Sequence, residues 1–244
     1  MKIRGATALV TGGTAGIGRE LAKQLVEGGA RVIITGRDKA RLDEMAAWNA
    51  RIVPHQVDFS NGEEVDRFVR EVARDYPDLL LVINNAGVQM EMDLVHGADA
   101  MPDIRKELAV NLDAVIAVTI GLVPVLSAQG GGMIVNVSSG LGVLPKAASP
   151  VYCAAKAGLR SFTRSMRYQC EDARNKVRMV DAVMTIVDTG MTAGRGRGKI
   201  SPAQAAAEVI AGIDAGVDEI WVGKTKLLRR LNRLSPGLAA RIMR

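Results

Sequence analysis

Short β-branched runs alternate with amphipathic segments along the whole of this 244-residue chain, and that alternation leaves room for very few architectures. Runs at 6–10, 31–35, 52–57, 79–84, 133–137, 177–183 and 219–222 read as seven strands. Between them, segments at 16–27, 39–47, 62–75, 104–127, 150–172 and 202–215 carry helical periodicity. Strand and helix in this order make repeated βαβ units, so the expected fold is α/β: a doubly wound parallel sheet with helices on both faces. Hydrophobic residues make up 48% of the chain but aromatics only 3%, so its core must be built from Ala, Val, Ile, Leu and Met, as a sheet covered on both sides requires. The length suits one domain over 1–244, with 224–244 as a basic C-terminal segment.

The formal charge of +6 suggests an acidic partner until it is located. Lys224, Lys226, Arg229, Arg230, Arg233, Arg241 and Arg244 lie in the last stretch with no acid among them, which leaves 25 basic against 26 acidic residues elsewhere. A balanced body with few aromatics argues against a nucleic-acid partner. Cys153 and Cys170 form neither a disulfide framework nor a metal-ligand spacing, so no metal and a reducing, cytoplasmic setting are expected. The apolar run at the N-terminus is too short for the core of an export signal. The stretch 109–126 is apolar enough to suggest a membrane span, but it holds Asn111, Asp113 and Pro124 and reads as a buried helix.

Several polar motifs fall at strand ends. Thr11-Gly12-Gly13-Thr14-Ala15-Gly16-Ile17-Gly18 follows the first strand and opens a helix, where exposed amides and the helix dipole favour an anion such as a pyrophosphate. The second strand ends in Gly36-Arg37, where a dinucleotide site chooses between an acid for a ribose hydroxyl and a cation for the extra phosphate of NADP. The arginine favours NADP(H) over NAD(H). Asp58 follows the third strand, Asn84-Asn85-Ala86-Gly87 the fourth, and Ser138-Ser139 the fifth. A helix through Tyr152 and Lys156 puts a phenol and an ammonium one turn apart on one face, and the cation is expected to lower the phenol's pKa. Cys153, off that face, reads as packing.

Taken together and in this order, these residues resemble the short-chain dehydrogenases and reductases, Rossmann-like enzymes, over roughly residues 2–191. The resemblance implies an oxidoreductase passing hydride between a nicotinamide coenzyme and a carbonyl or secondary alcohol. It implies Tyr152 as general acid/base, Ser139 on the substrate oxygen, Lys156 on the nicotinamide ribose, and Asn111 kinking its helix to hold a relay water. It also implies Gly12, Thr14, Ala15, Gly16, Ile17 and Gly18 around the pyrophosphate, Asp58 near the adenine, and Asn84, Ala86 and Gly87 lining the adenosine ribose. Tyr152 and Lys156 would also touch the coenzyme, and Thr189 would meet its carboxamide. Relatives of this kind usually form homodimers or homotetramers through their long helices.

The chain departs from the family pattern at 184–189. There Met184-Thr185-Ile186-Val187-Asp188-Thr189 stands where a Pro-Gly turn is usual, so a catalytically weakened, dinucleotide-binding sensor or scaffold is the alternative reading. Arg195 and Arg197 sit in a glycine-rich segment at 192–199, either a lid facing an anionic group or a solvated loop. In the tail, Leu227, Leu228, Leu231, Leu234 and Leu238 recur at helical spacing until Pro236 interrupts, and the tail resembles that of bacterial DltE-like oxidoreductases. Docking on the body or on a second subunit accounts for these leucines more simply than contact with a membrane surface.

Overall fold

The structure is a computed structural model that describes residues 4–97, 99–235 and 237. Seven parallel strands, β1 (Thr7–Val10), β2 (Arg31–Gly36), β3 (Ile52–Gln56), β4 (Leu79–Asn84), β5 (Gly132–Ser139), β6 (Val177–Met184) and β7 (Glu219–Trp221), form one sheet in the order β3-β2-β1-β4-β5-β6-β7. The order reverses between β1 and β4, and at that point the loops leaving the strands part to form a crevice. The seven-stranded doubly wound sheet expected from the alternation is therefore present, with ends moved by one or two residues. Ser138 and Ser139 close β5 instead of following it.

Strand alternation sorts the core into two layers. Val10, Ile34, Ile83 and Val135 face α1 (Gly16–Glu27), α2 (Lys39–Trp48) and α7 (Pro202–Ala215), which contribute Leu25, Met45 and Val209. Leu9, Ile33, Val82 and Ile134 face α3 (Gly62–Asp75) and α5 (Ala114–Ala128), which contribute Phe68, Val72, Val118 and Leu122. α6 (Pro150–Asp172) closes the same side and brings Cys170 into it.

The apolar helix expected over 104–127 is divided. α4 (Met101–Leu108) begins earlier, a π-helical turn spans Ala109–Asp113, and α5 follows. The amide of Ala114 reaches the carbonyl of Ala109, and the wider turn directs the side chain of Asn111 onto the backbone of Val88. By length and composition Met101–Ala128 could cross a bilayer. Here Val110, Ala114, Val118, Leu122 and Leu126 pack in the core, while Ile120 on the opposite face is 55% exposed, so the run is half-buried and not fully enclosed.

α8 (Thr225–Leu234) accounts for the described part of the tail and docks on the body. Thr225 Oγ1 donates to the carbonyls of Val183 and Val222, Lys226 pairs with Glu208 at 3.0 Å, and Arg229 stacks on Trp221 at 5.2 Å. Leu228 lies against Gly140, whereas Leu227 and Leu234 are exposed. Pro236, Leu238, Arg241 and Arg244 lie outside the described residues.

One polar strip crosses the α5/α6 layer. Asn84 and Asn136 face each other in the β4–β5 register. Asn84 Nδ2 donates to Asn136 Oδ1 at 2.8 Å and to Thr119 Oγ1 at 3.2 Å, and Asn136 Nδ2 donates to Thr163 Oγ1 at 2.9 Å. Asn136 thus ties two strands to α6 by direct side-chain bonds. Asn136→Ala is expected to destabilise the fold by roughly 2 to 4 kcal/mol, because it leaves buried partners unpaired. Urea unfolding measures this, and a loss below about 0.5 kcal/mol would contradict it.

Candidate active site

The first wall of the crevice is the loop from β1 into α1. Gly12 and Gly16 take left-handed φ values of +66° and +51°, which turn the chain sharply before the helix. Gly12 donates its amide to Thr35 Oγ1 at 3.1 Å, and Gly13 donates to the Thr35 carbonyl at 2.9 Å, so the loop is fixed on β2. At Gly18 a Cβ would lie 2.1 Å from the Gly12 oxygen and 2.5 Å from Asn85 Nδ2, so only glycine allows the helix to approach so closely. Ile17 packs into the core, and the methyl of Thr14 lies against Gly36.

α1 also lacks a side-chain cap. Ala15 occupies the capping position without an acceptor, and no acid stands in the first turn. α2, α3 and α7 are capped by Asp38, Asn61 and Ser201, whereas α4, α6 and α8 share the lack of a side-chain cap without a glycine loop before them. The leading amides of α1 are therefore left for an outside anion.

At the ends of β2 and β3, Arg37, Gln56, Asp58, Glu64 and Arg67 line a concavity of about 440 Å³. Arg37 is exposed and its carbonyl accepts from Gln56 Nε2. Burial pushes the Asp58 carboxyl up, but the Ser60 amide and hydroxyl, with Arg37 and Lys106, hold it below its ordinary value.

At the end of β4 the two asparagines part company. Asn85 donates from Nδ2 to the carbonyls of Thr11 and Gly12, and Thr11 Oγ1 accepts the amides of Asn85 and Ala86, which locks β4 to the glycine loop. The side chain of Asn84, by strand alternation, points into the polar strip beneath α5 and α6. At the crevice edge Asn84 therefore presents its backbone, not its side chain. Ala86 lies against Gly12, and Gly87 borders Asn111 and Lys156: a Cβ there would be 2.9 Å from Asn111 Oδ1 and 3.7 Å from Lys156 Nζ.

Ser139, Tyr152, Lys156 and Asn111 come together behind Gly87. Alternation separates the paired serines. Ser138 donates to the buried Asp181, whereas Ser139 accepts the Leu141 amide and hydrogen-bonds with Tyr152. Lys156 is 3% exposed; its Nζ donates to the Val137 carbonyl at 2.9 Å and lies 5.7 Å from the ring centre of Tyr152. Asn111 is fully buried, donating to the Val88 carbonyl at 2.7 Å and accepting the Val88 amide at 3.2 Å. Its amide is thus occupied by backbone, the plainer role for a helix-interior asparagine.

The expected lowering of the phenol's pKa does not occur. Burial pushes Tyr152 up to about 12, against the pull of Ser139 and Arg195, and burial likewise pulls Lys156 down to about 8. Desolvation outweighs the pull of Ser139 and Arg195. Cys153 is packing, as expected: its Sγ accepts the Lys146 amide, and burial raises its thiol.

The altered turn after β6 is held by other means. Val187 is buried and bridges Ile200, and Asp188 donates to the Ile200 carbonyl. None of residues 184–189 has a left-handed φ, so the path asks for no glycine. It brings the methyl of Thr189 against Gly16 at the start of α1. Beyond it, Arg195 lies 3.6 Å from Glu91, which also pairs with Lys146 at 2.8 Å, so one carboxylate joins the loops that follow β4, β5 and β6. Thr11, Asn85 and Arg67 escaped the motif-based selection. The first two sit inside the quoted motifs, and only the third has no sequence signal.

A doubly wound sheet with a glycine loop, an uncapped first helix and a Ser-Tyr-Lys cluster at its switch point defines a nicotinamide-dinucleotide oxidoreductase architecture. The short chain dehydrogenase family model matches residues 6–199, and the chain belongs to that family. It is 38% identical over 191 residues to the uncharacterized oxidoreductase DltE of Bacillus subtilis, covering 78% of this chain and 75% of that protein. Among solved structures, a short chain dehydrogenase from Burkholderia cenocepacia in complex with NADP superposes with a TM-score of 0.87 at 30% identity, covering 100% of both chains. A short chain dehydrogenase/reductase from Burkholderia phymatum in complex with NAD gives 0.86 at 21% identity over 98% of this chain and 96% of that one, a likeness of fold.

The buried ammonium of Lys156 makes a prediction about stability. It titrates near 8 when folded and near its ordinary 10.5 when unfolded, so unfolding takes up a proton between these values and its destabilising effect fades as pH rises through them. Lys156→Met is expected to raise the melting temperature at neutral pH, by a margin that shrinks from pH about 8 to about 10.5. Thermal melts across that range test it, and a difference independent of pH would refute it.

Proposed function

We propose that this protein is an NADP(H)-dependent oxidoreductase that interconverts a carbonyl and a secondary alcohol, with Tyr152 as general acid/base. The observation that carries this reading is the meeting of Ser139, Tyr152 and Lys156 beside Gly87, on the edge that also holds the glycine loop and the open N-terminus of α1. The residues present fit a dinucleotide. The amides from Gly12 through Gly18 suit its pyrophosphate, Arg37 the 2′-phosphate and Asp58 the adenine. The Asn84 backbone with Ala86 and Gly87 suits one ribose, Tyr152 and Lys156 the other, and Thr189 the carboxamide. A nicotinamide bound there supplies the hydride.

The chain's own part is to hold the carbonyl oxygen and deliver a proton to it. Ser139 donates a hydrogen bond to that oxygen, and Tyr152, pushed up to about 12, keeps its proton at neutral pH and is ready to give it to the far more basic alkoxide oxygen. Lys156 places positive charge beneath the phenol ring and stabilises the phenolate left behind.

Arg37 supports the choice of coenzyme, as does NADP in the Burkholderia cenocepacia structure. The sensor reading drew on the altered turn after β6 and on the basic tail; the packing of Val187 on Ile200 and the docking of α8 through Thr225 and Lys226 give both a structural role and favour the enzyme reading. Free, buried Cys153 and Cys170 suit a cytoplasmic setting. Exposed Ile120 on α5 and Tyr168 on α6 suit a homodimer or homotetramer built on those helices.

Replacing Tyr152 by Phe is expected to lower turnover of a reduced carbonyl by about a thousandfold while leaving coenzyme affinity within about threefold, as kinetics and fluorescence titration would read. Turnover that survives the change ends the mechanism. Separately, Arg37→Ala is expected to weaken NADPH binding about tenfold or more and NADH binding little. Equal losses would remove the phosphate assignment.

A further inference from the structure

α4 buries a single residue, and that residue is an acid. Its exposed side chains include Met101, Asp103, Arg105, Lys106 and Leu108, while Glu107 is 0% exposed. An aliphatic side chain would fill such a position more cheaply, since a buried carboxylate loses its hydration and must regain it from the protein. Glu107 regains only part. Its Oε1 accepts the Met90 amide at 3.0 Å, and its Oε2 has no partner among the described residues.

The surroundings show what the carboxyl faces. α4 packs on α6, the helix of Tyr152, Cys153 and Lys156, and Met90 belongs to the loop that leaves β4 past Gly87 and walls the crevice. One turn further along the same helical run, Asn111 holds Val88 of that loop by both backbone groups. Glu107 and Asn111 therefore pin alternate residues of one cleft wall. Asp103 on its own helix and Lys156 on α6 are the charges that act on Glu107, and Glu107 acts in turn on Tyr152, Cys153 and Lys156. Arg195 faces Tyr152 as well, Lys146 faces Cys153, and Asp181 faces Lys156. Asp181 acts on Lys156 more strongly than Glu107 does, but it is already paired with Arg160 Nη1 at 2.6 Å, so Glu107 is the second acid and the one with no ion pair of its own among the described residues.

We propose that Glu107 is a positioning residue for the Tyr152–Lys156 pair: anchored on the Met90 amide, it sets a buried carboxyl behind α6 as the counter-charge that keeps Lys156 protonated beside the phenol. Burial raises its own pKa, with Asp103 adding to the rise and the Met90 amide and Lys156 opposing it. When charged it raises both Lys156 and Tyr152. This role presumes the catalytic reading of the pair, but its test does not require a substrate.

The experiment is a titration of Lys156 in protein labelled with carbon-13 at lysine Cε, the signal assigned with Lys156→Arg. Glu107→Gln keeps an oxygen for the Met90 amide and cannot ionise, so the Lys156 midpoint is expected to fall by about half a pH unit or more, with the circular dichroism unchanged. Glu107→Met removes both oxygens and is expected to give the same fall, so it decides the matter if the Gln variant folds poorly. A midpoint unmoved in the folded variants overturns the proposal. Where a reducible carbonyl is in hand, the pH profile of kcat/KM in Glu107→Gln is expected to shift to lower pH. No turnover by the wild-type protein, together with a shifted lysine, would count against the enzyme reading and leave the positioning role standing.

Discussion

A primary ammonium almost sealed from water, held by the carbonyl of Val137 and lying under the ring of Tyr152, is the constraint on which the site depends. Burying it is unfavourable, as its pKa near 8 records, and the surroundings are arranged to tolerate it. β5 ends where its carbonyl can take the ammonium, Gly87 leaves room on one side, and the π-helical turn puts Asn111 Oδ1 alongside. The same desolvation keeps the phenol protonated. Strain of this kind is stored at a functional site and balanced by the rigid sheet beneath it.

The coenzyme side of the crevice works by close approach more than by charge. Gly18 lets α1 come within contact of the Gly12 carbonyl and Asn85, and Thr11 ties β4 to the same loop, so the edge is preformed. Arg37, Arg67, Asp58 and Glu64 then give its outer end a mixed-sign rim. On the substrate side, Glu91 joins Lys146 to Arg195 across the mouth of the cleft, so the cations of the glycine-rich segment are tied to its walls.

Much of this was legible before any coordinates. The glycine loop, Arg37, Asp58, Ala86, Gly87, Ser139, Tyr152, Lys156 and Thr189 all lie on one edge because each follows or closes a parallel strand, and a strand's C-terminal end is fixed by its period. Alternation turns the side chain of Asn84 inward to Asn136 while its backbone stays at the edge, a division that the Asn-Asn run alone does not reveal. The helix at 104–127 was read as continuous because apolar periodicity does not reveal a π turn, which depends on a hydrogen bond to Val88 far away in sequence. Glu107 stands among Asp103, Arg105 and Lys106 in the sequence, and only the packing of α4 on α6 shows it to be enclosed.

By itself, the sequence determined the parallel sheet, the order of its parts and the residues at its carboxyl edge, because these follow from periodicity and from local backbone chemistry. The tertiary structure alone decided how strongly each group is desolvated and what it faces. Thus the phenol is raised instead of lowered, Asn111 spends its amide on a backbone, and a turn without Pro-Gly is secured by a bridge to Ile200. Burial and partnership are properties of segments distant along the chain, and no local pattern encodes them.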